Sequence, residues 1–204
     1  MELPYFPMPG YRANEYLLVL APHEELVHKI VKVREGFADK YRLSPSRFLK
    51  PHVPLVSFNG WEMMEEKLLH RLQGIALGIA PFKVEMKDYG AYPTHSIFIN
   101  VVSKGPIQGL VRELKEAQRL MKVGNEGRPY FVDDPHVPLA RKLKPWQFEQ
   151  GWEEYSHRQF SGRFVADAML LLRRRTGERG AFQVARRFDF MNLPLTTRQG
   201  SLFA

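Results

Sequence analysis

The pentapeptide Pro-His-Val-Pro-Leu occurs twice, at 51–55 and again at 135–139. Self-similarity at a fixed lag marks an architecture assembled from like units. The surroundings of the two copies also match. Arg47 and Phe48 precede the first, and Arg128, Tyr130 and Phe131 precede the second. Each histidine is followed nine or ten residues on by a tryptophan, Trp61 or Trp146. Paired acids come next, Glu65 and Glu66 against Glu153 and Glu154, and then strand-like segments from Phe82 and from Phe164. The unit is therefore about eighty residues long and places one imidazole at the same point of each half, as expected of a single cleft between two symmetric halves.

Periodicity supports that order of elements. Tyr16 to Ala21 is a short apolar run suited to a buried strand, and Leu26, Ile30, Val33, Phe37 and Tyr41 recur at helical spacing. A β-like stretch runs from the first motif to Phe58. Met64, Leu68, Leu72 and Ile75 mark a second helix, and strands follow at about 82–89 and 96–102, separated by a turn at Gly90–Thr94. The second half replays this, with an amphipathic helix through Ile107, Leu110, Leu114 and Met121, then a polar loop from Gly124 to Asp134. Beyond the second motif, Pro145 is placed to open a helix. A hairpin from Phe164 to Arg173 and back through Phe182, Val184, Phe188 and Phe190 closes the unit, with a loose tail from Asn192 and an irregular leader over 1–14. The expected fold class is α+β: a bilobal, pseudo-two-fold duplicated fold with mainly antiparallel sheets lining a central cleft and helices outside. With no linker-like stretch, residues 1–204 are read as one bilobal domain whose halves are roughly 15–95 and 96–190.

Composition removes several function classes. Hydrophobic residues make up 44% of the chain, with 14 Phe, 8 Tyr and 3 Trp, enough for a packed core. No apolar run approaches the roughly 20 residues that span a bilayer, and the N-terminus lacks the basic and apolar regions of a secretory signal. The absence of cysteine excludes disulfides, zinc-thiolate sites and thiol catalysis, and fits a cytoplasmic protein. A net charge of +8 favours a polyanionic partner, most simply nucleic acid. Arg173, Arg174, Arg175, Arg179, Arg186 and Arg187 crowd the C-terminal hairpin and are read as a solvated surface. No Gly-rich loop followed by Lys-Ser/Thr supports triphosphate hydrolysis, and no nucleotidyl-transfer lysine motif supports ATP-dependent ligation.

Strand alternation puts His52 with Pro54, and His136 with Pro138, on faces opposite the core-type Val53, Leu55, Val137 and Leu139. Both imidazoles are thereby directed toward whatever lies between the halves. Two such motifs about eighty residues apart, with Arg141 shortly after the second, resemble the two-histidine (2H) phosphoesterase superfamily, in its 2′-5′ RNA ligase-like and cyclic phosphodiesterase branch. The resemblance spans roughly residues 15 to 190. It implies metal-free acid–base chemistry on 2′,3′-cyclic or 2′,5′-linked phosphodiesters of RNA ends or small cyclic nucleotides, with no cofactor and with His52 and His136 as the catalytic pair. Imidazole suits both roles because its ordinary pKa, about 6.5, leaves either form available near neutrality. Sequence alone does not say which ring is the acid, and it is silent on oligomeric state.

One departure stands out. The family motif is His-x-Thr/Ser-x, and its hydroxyl donates to the phosphate, whereas this chain has Pro54 and Pro138. Proline supplies neither a side-chain donor nor a backbone N–H. The rival reading is a non-catalytic RNA- or nucleotide-binding protein that keeps the cleft without turnover. Arg141 is a candidate phosphate ligand, but strict alternation sets it on the face opposite His136, so it reaches the cleft only through a twist or bulge. His23, His28, His70, His95 and His157 are expected at helix ends, turns or surfaces. Asp133, Asp134 and His136, with His52, could be imagined around a metal, yet the acids read as a turn before the strand and the first motif has no matching acids.

Overall fold

The computed structural model describes residues 12–43, 50–123, 127–178 and 180–194. Arg47, Phe48, Gly124, Arg179, the leader up to residue 11 and the tail from 195 lie outside the described residues. The chain runs β1 (Ala13–Leu20), α1 (Glu24–Lys40), β2 (Val53–Trp61), α2 (Glu65–Gly78), β3 (Phe82–Tyr92), β4 (Ser96–Val101), α3 (Lys104–Leu114), β5 (Tyr130–Phe131), β6 (His136–Arg141), α4 (Pro145–Tyr155), β7 (Ser161–Ala166), β8 (Ala168–Arg175) and β9 (Gln183–Asp189). Short 3₁₀ turns at Glu62–Met64 and Lys115–Leu120 adjoin α2 and α3.

Local chemistry explains the helix starts. His23 caps α1 by accepting the Leu26 N–H on Nδ1 at 3.4 Å, and Glu24 and Glu25 complement the positive end of the helix. Pro145 is the first residue of α4, where its missing N–H costs nothing. Each helix buries one stripe. On α1 it is Leu26, Ile30, Arg34 and Phe37, so a guanidinium sits in an otherwise apolar row.

Every strand pairing is antiparallel, and the strands form two sheets, β5-β2-β1-β8-β9 and β6-β4-β3-β7. Helices α2 and α3 pack against the first sheet, α1 and α4 against the second. Among the described residues, no helix is long and apolar enough to cross a membrane. The halves interlock. Strand β3, from the first half, lies beside β4 in the second sheet, whereas β8, from the second half, lies beside β1 in the first.

Several local readings differ from this structure. Gly90 to Tyr92, expected in a turn, still belong to β3, and Asn192 and Leu193, expected in a loose tail, donate their N–H groups to the Ile79 and Leu77 carbonyls at 3.0 and 2.8 Å. The expected single strand from Phe164 to Arg173 is broken at Asp167: β7 pairs with β3 in one sheet and β8 with β1 and β9 in the other. The apolar run Ala168–Leu172 that follows hides this break, although buried positions change parity there, from Phe164 and Ala166 to Met169 and Leu171. The polar loop before the second motif holds β5, whose Phe131 and Tyr130 pair with Val56 and Ser57. Of the hairpin arginines, Arg173 and Arg174 are partly buried in ion pairs with Glu65 and Glu15, whereas Arg175, Arg186 and Arg187 are exposed as expected, Arg175 beside Glu178 and Arg187 beside Asp167 and Asp189.

Candidate active site

The two motifs share a backbone irregularity. On β2, Pro54 lies opposite Val19 and Val56 opposite Leu18, leaving Leu55 as an extra residue; on β6, Pro138 lies opposite Phe98 and Ala140 opposite Ile97, leaving Leu139 as the extra one. Two residues against one constitute a β-bulge, which reverses the parity of everything beyond it. Ser57 thus joins the face of His52, and Arg141 joins the face of His136. The prolines are tolerated because β6 is the outermost strand of its sheet and β5 covers β2 only at Val56 and Ser57.

Each imidazole is held the same way. His52 Nδ1 lies 2.7 Å from the Lys50 carbonyl oxygen and His136 Nδ1 lies 2.8 Å from that of Asp134, each two residues upstream. A carbonyl only accepts, so Nδ1 carries the hydrogen in both rings and Nε2 is the working nitrogen. Burial lowers both pKa values. His52, only 8% exposed, is pushed down to about 4 by burial, with the charges of Arg34 and Arg141 adding to the effect and the Lys50 carbonyl opposing it. His136 is also lowered, chiefly by burial, with Arg141 and Lys104 contributing; the Asp134 carbonyl and carboxylate oppose the shift.

Arg34 links the two motifs. From α1 its Nε and Nη2 both donate to the Pro138 carbonyl oxygen, at 3.0 and 2.6 Å, while its charge bears on His52. Burial, then the nearby Arg141, lowers its own pKa to about 10, so it stays charged at neutral pH. Arg141 influences both imidazoles and Arg34, placing its charge within electrostatic range of both motifs. Sequence reasoning missed Arg34. The available signal was a charged residue at the i+4 position of the buried stripe after Leu26 and Ile30.

The second motif has an aromatic wall. The Phe98 ring is 4.5 Å from that of His136 and 4.8 Å from that of Tyr92, and Tyr92 meets His136 edge-on at 5.4 Å. Gly90 makes room for Phe98, since a Cβ there would lie 2.5 Å from the ring and collide with Asn100 Oδ1 as well. Asp134 is fixed by Lys104 Nζ at 2.5 Å and by the Tyr92 hydroxyl at 3.1 Å. Its carboxylate, imagined above as a metal ligand, is thus directed at a lysine. Among the described residues, no three histidine or acidic side chains gather in a metal-binding group. Tyr130 is 68% exposed and, as the partner of Ser57, shares the face of His52. His28, His70 and His157 lie exposed on the surface; His95 is exposed at a turn, with Nδ1 3.0 Å from the Pro93 carbonyl oxygen.

Solved structures share this architecture. Escherichia coli LigT complexed with 3′-AMP superposes with a TM-score of 0.56 at 15% identity, covering 88% of this chain and 98% of LigT. LigT complexed with NADP⁺ gives 0.57 at 15% identity, covering 88% and 99%. TT0787 of Thermus thermophilus gives 0.56 at 18% identity, covering 87% and 98%. A search of curated protein sequences found no significant match. Two antiparallel sheets, each presenting a histidine motif, are the fold of the two-histidine phosphoesterases. The profile of the 2′-5′ RNA ligase superfamily matches residues 22–178, and the chain belongs to that family.

Proposed function

We propose that this protein is a metal-independent phosphodiesterase acting on 2′,3′-cyclic or 2′,5′-linked phosphodiesters of RNA ends or small nucleotides. The observation that carries this reading is the matched anchoring of two imidazoles, Nδ1 on a carbonyl and Nε2 left for chemistry, beside cationic guanidiniums. The complexes of E. coli LigT, which shares this fold, with 3′-AMP and NADP⁺ support a nucleotide-sized ligand. The positive charges of Arg34 and Arg141 favour a phosphate anion and disfavour a metal cation beside His52.

Electrostatics distinguishes the two rings. His52, with a pKa near 4, is neutral at physiological pH and serves as the base. Its Nε2 takes a proton from water as the water oxygen bonds to phosphorus. His136 takes the acid role because it is only half-buried and the Asp134 carbonyl and carboxylate offset part of the lowering by burial; it donates from Nε2 to the departing ribose oxygen as the P–O bond breaks. Arg141 stabilises the charge on the phosphoryl oxygens in place of the hydroxyls missing at Pro54 and Pro138.

The test is incubation with 2′,3′-cyclic mononucleotides and with oligonucleotides ending in a cyclic phosphate, with and without EDTA. EDTA-resistant hydrolysis that falls at least about 100-fold in both His52→Ala and His136→Ala is expected. Salt-sensitive RNA binding with no product at any pH would refute catalysis and identify the cleft as a binding module. Loss of hydrolysis on adding EDTA would refute the metal-free step.

A further inference from the structure

The open face of the second sheet continues well past His136. One row of cross-strand partners runs His136–Asn100 between β6 and β4. It next meets Lys87 and Asp88, which together stand opposite Asn100 because β3 is bulged between Met86 and Tyr89. It ends with Lys87–Ser161 between β3 and β7. Val84, Met86 and Tyr89 point into the core, so the exposed Lys83, Glu85 and Lys87 share the face of His136. Strands lie about 4.8 Å apart, so three steps carry this row roughly 14 Å from His136.

At its far end is a depression of about 940 Å³ whose lining includes Lys29, Glu85, Lys87, Asp88, Ser161 and Arg163. Lys29 Nζ is 4.8 Å from the centre of the Phe160 ring and donates to the Ser161 carbonyl at 2.5 Å. Both carboxylates are engaged: Glu85 lies 3.6 Å from Lys83, and Asp88 accepts the Phe160 N–H at 3.2 Å. Asp88 adopts φ 56 in the bulge, the left-handed region that aspartate tolerates better than most residues. Lys87 and Arg163 have no ion-pair partner among the described residues.

We infer that Lys29, Lys87 and Arg163 form a second, phosphate-binding subsite for the body of an RNA strand whose terminal phosphate lies between His52 and His136. This rests on the proposed function in assuming where the reacting end sits, and it extends that function by naming an oligonucleotide as the preferred ligand. The subsite has no exposed aromatic platform, so it reads backbone charge and not base identity. At a rise of about 3.4 Å per stacked nucleotide, the 14 Å row corresponds to about four nucleotides. A mononucleotide does not reach it.

The measurement is fluorescence anisotropy with oligouridylates of two, four and eight nucleotides carrying a 3′-phosphate. These are not cyclic substrates, so binding is read without turnover, and failure of the proposed hydrolysis leaves the result interpretable. In the wild-type protein, affinity rises from the dimer to the tetramer and then levels. Lys87→Ala combined with Arg163→Ala weakens the octamer about 10-fold, reduces its preference over the dimer, and lowers the slope of log K against log salt by about 1.4, two cations at about 0.7 each. Lys87→Gln alone gives half that change of slope, a readout that survives if the double variant folds poorly. Octamer affinity and slope unchanged in the variants would overturn the inference. So would an equal loss on replacing Lys67 and Arg71, which lie on the outer face of α2.

Discussion

A histidine kept neutral by burial has a consequence measurable without any substrate. In the unfolded chain His52 titrates near its ordinary value of about 6.5; in the folded protein it does so near 4. Between these values the unfolded state binds a proton that the folded state refuses, so stability falls as pH drops from about 6.5 to about 4 and this contribution is flat below. The gap corresponds to about 3 kcal/mol, with little solvent screening for a side chain only 8% exposed. Carboxylates held low in the folded state, such as Asp134 and Glu154, also lose stability in acid. The assay is therefore a comparison: urea unfolding of the wild type and of His52→Gln at half-unit steps from pH 7.5 to 3.5. The wild type is expected to lose about 3 kcal/mol more than the variant across the window. Curves that stay parallel within about 0.5 kcal/mol would show that the ring protonates freely, and the assignment of His52 as base would fall with it.

Three substitutions probe the rest of the site. Gly90→Ala drives a methyl group into Phe98, and is expected to cost about 1–3 kcal/mol in denaturant unfolding and to lower kcat by displacing the ring that packs on His136. Arg34→Met leaves the Pro138 carbonyl without its two donors and removes a charge beside His52; it should destabilise by about 1–3 kcal/mol and raise the His52 pKa, as read by NMR titration. Pro138→Thr restores a hydroxyl on the face of His136 at the sheet edge, and is expected to raise kcat/KM by about 10- to 150-fold, the equivalent of one charge-assisted hydrogen bond.

Much of this protein was legible in its residues because the informative patterns are local. The paired motifs, the apolar runs and the stripes on the helices follow from periods of 2 and 3.6. Even the condition on Arg141 could be framed, since alternation excludes it from the cleft unless the strand bulges, and the register of β6 contains that bulge at Leu139. What stayed hidden depends on partners distant in sequence. Nothing near Phe82 or Ala168 says that β3 and β8 trade sheets, nothing near Tyr130 says that two residues will pair with β2, and the ion pairs of Arg173 and Arg174 need Glu65 and Glu15 brought from the other half. Arg34 was hidden for a different reason. Its position on the buried face of α1 was readable, but its acceptor, the carbonyl of Pro138, lies 104 residues away.

The trade of β3 for β8 sets how this molecule can come into being. Neither 15–95 nor 96–190 owns a complete sheet, so severing the chain near residue 95 would not release two autonomous mini-proteins. On the ribosome, β1 and β2 must wait for β8 to emerge before their layer closes, a high-contact-order assembly expected to be slow and all-or-none. The same exchange replaces a hinge with hydrogen-bonded ladders in both directions. The two histidine-bearing sheets are therefore fixed relative to one another as the chain folds, with ladder bonds where a swinging segment would otherwise be.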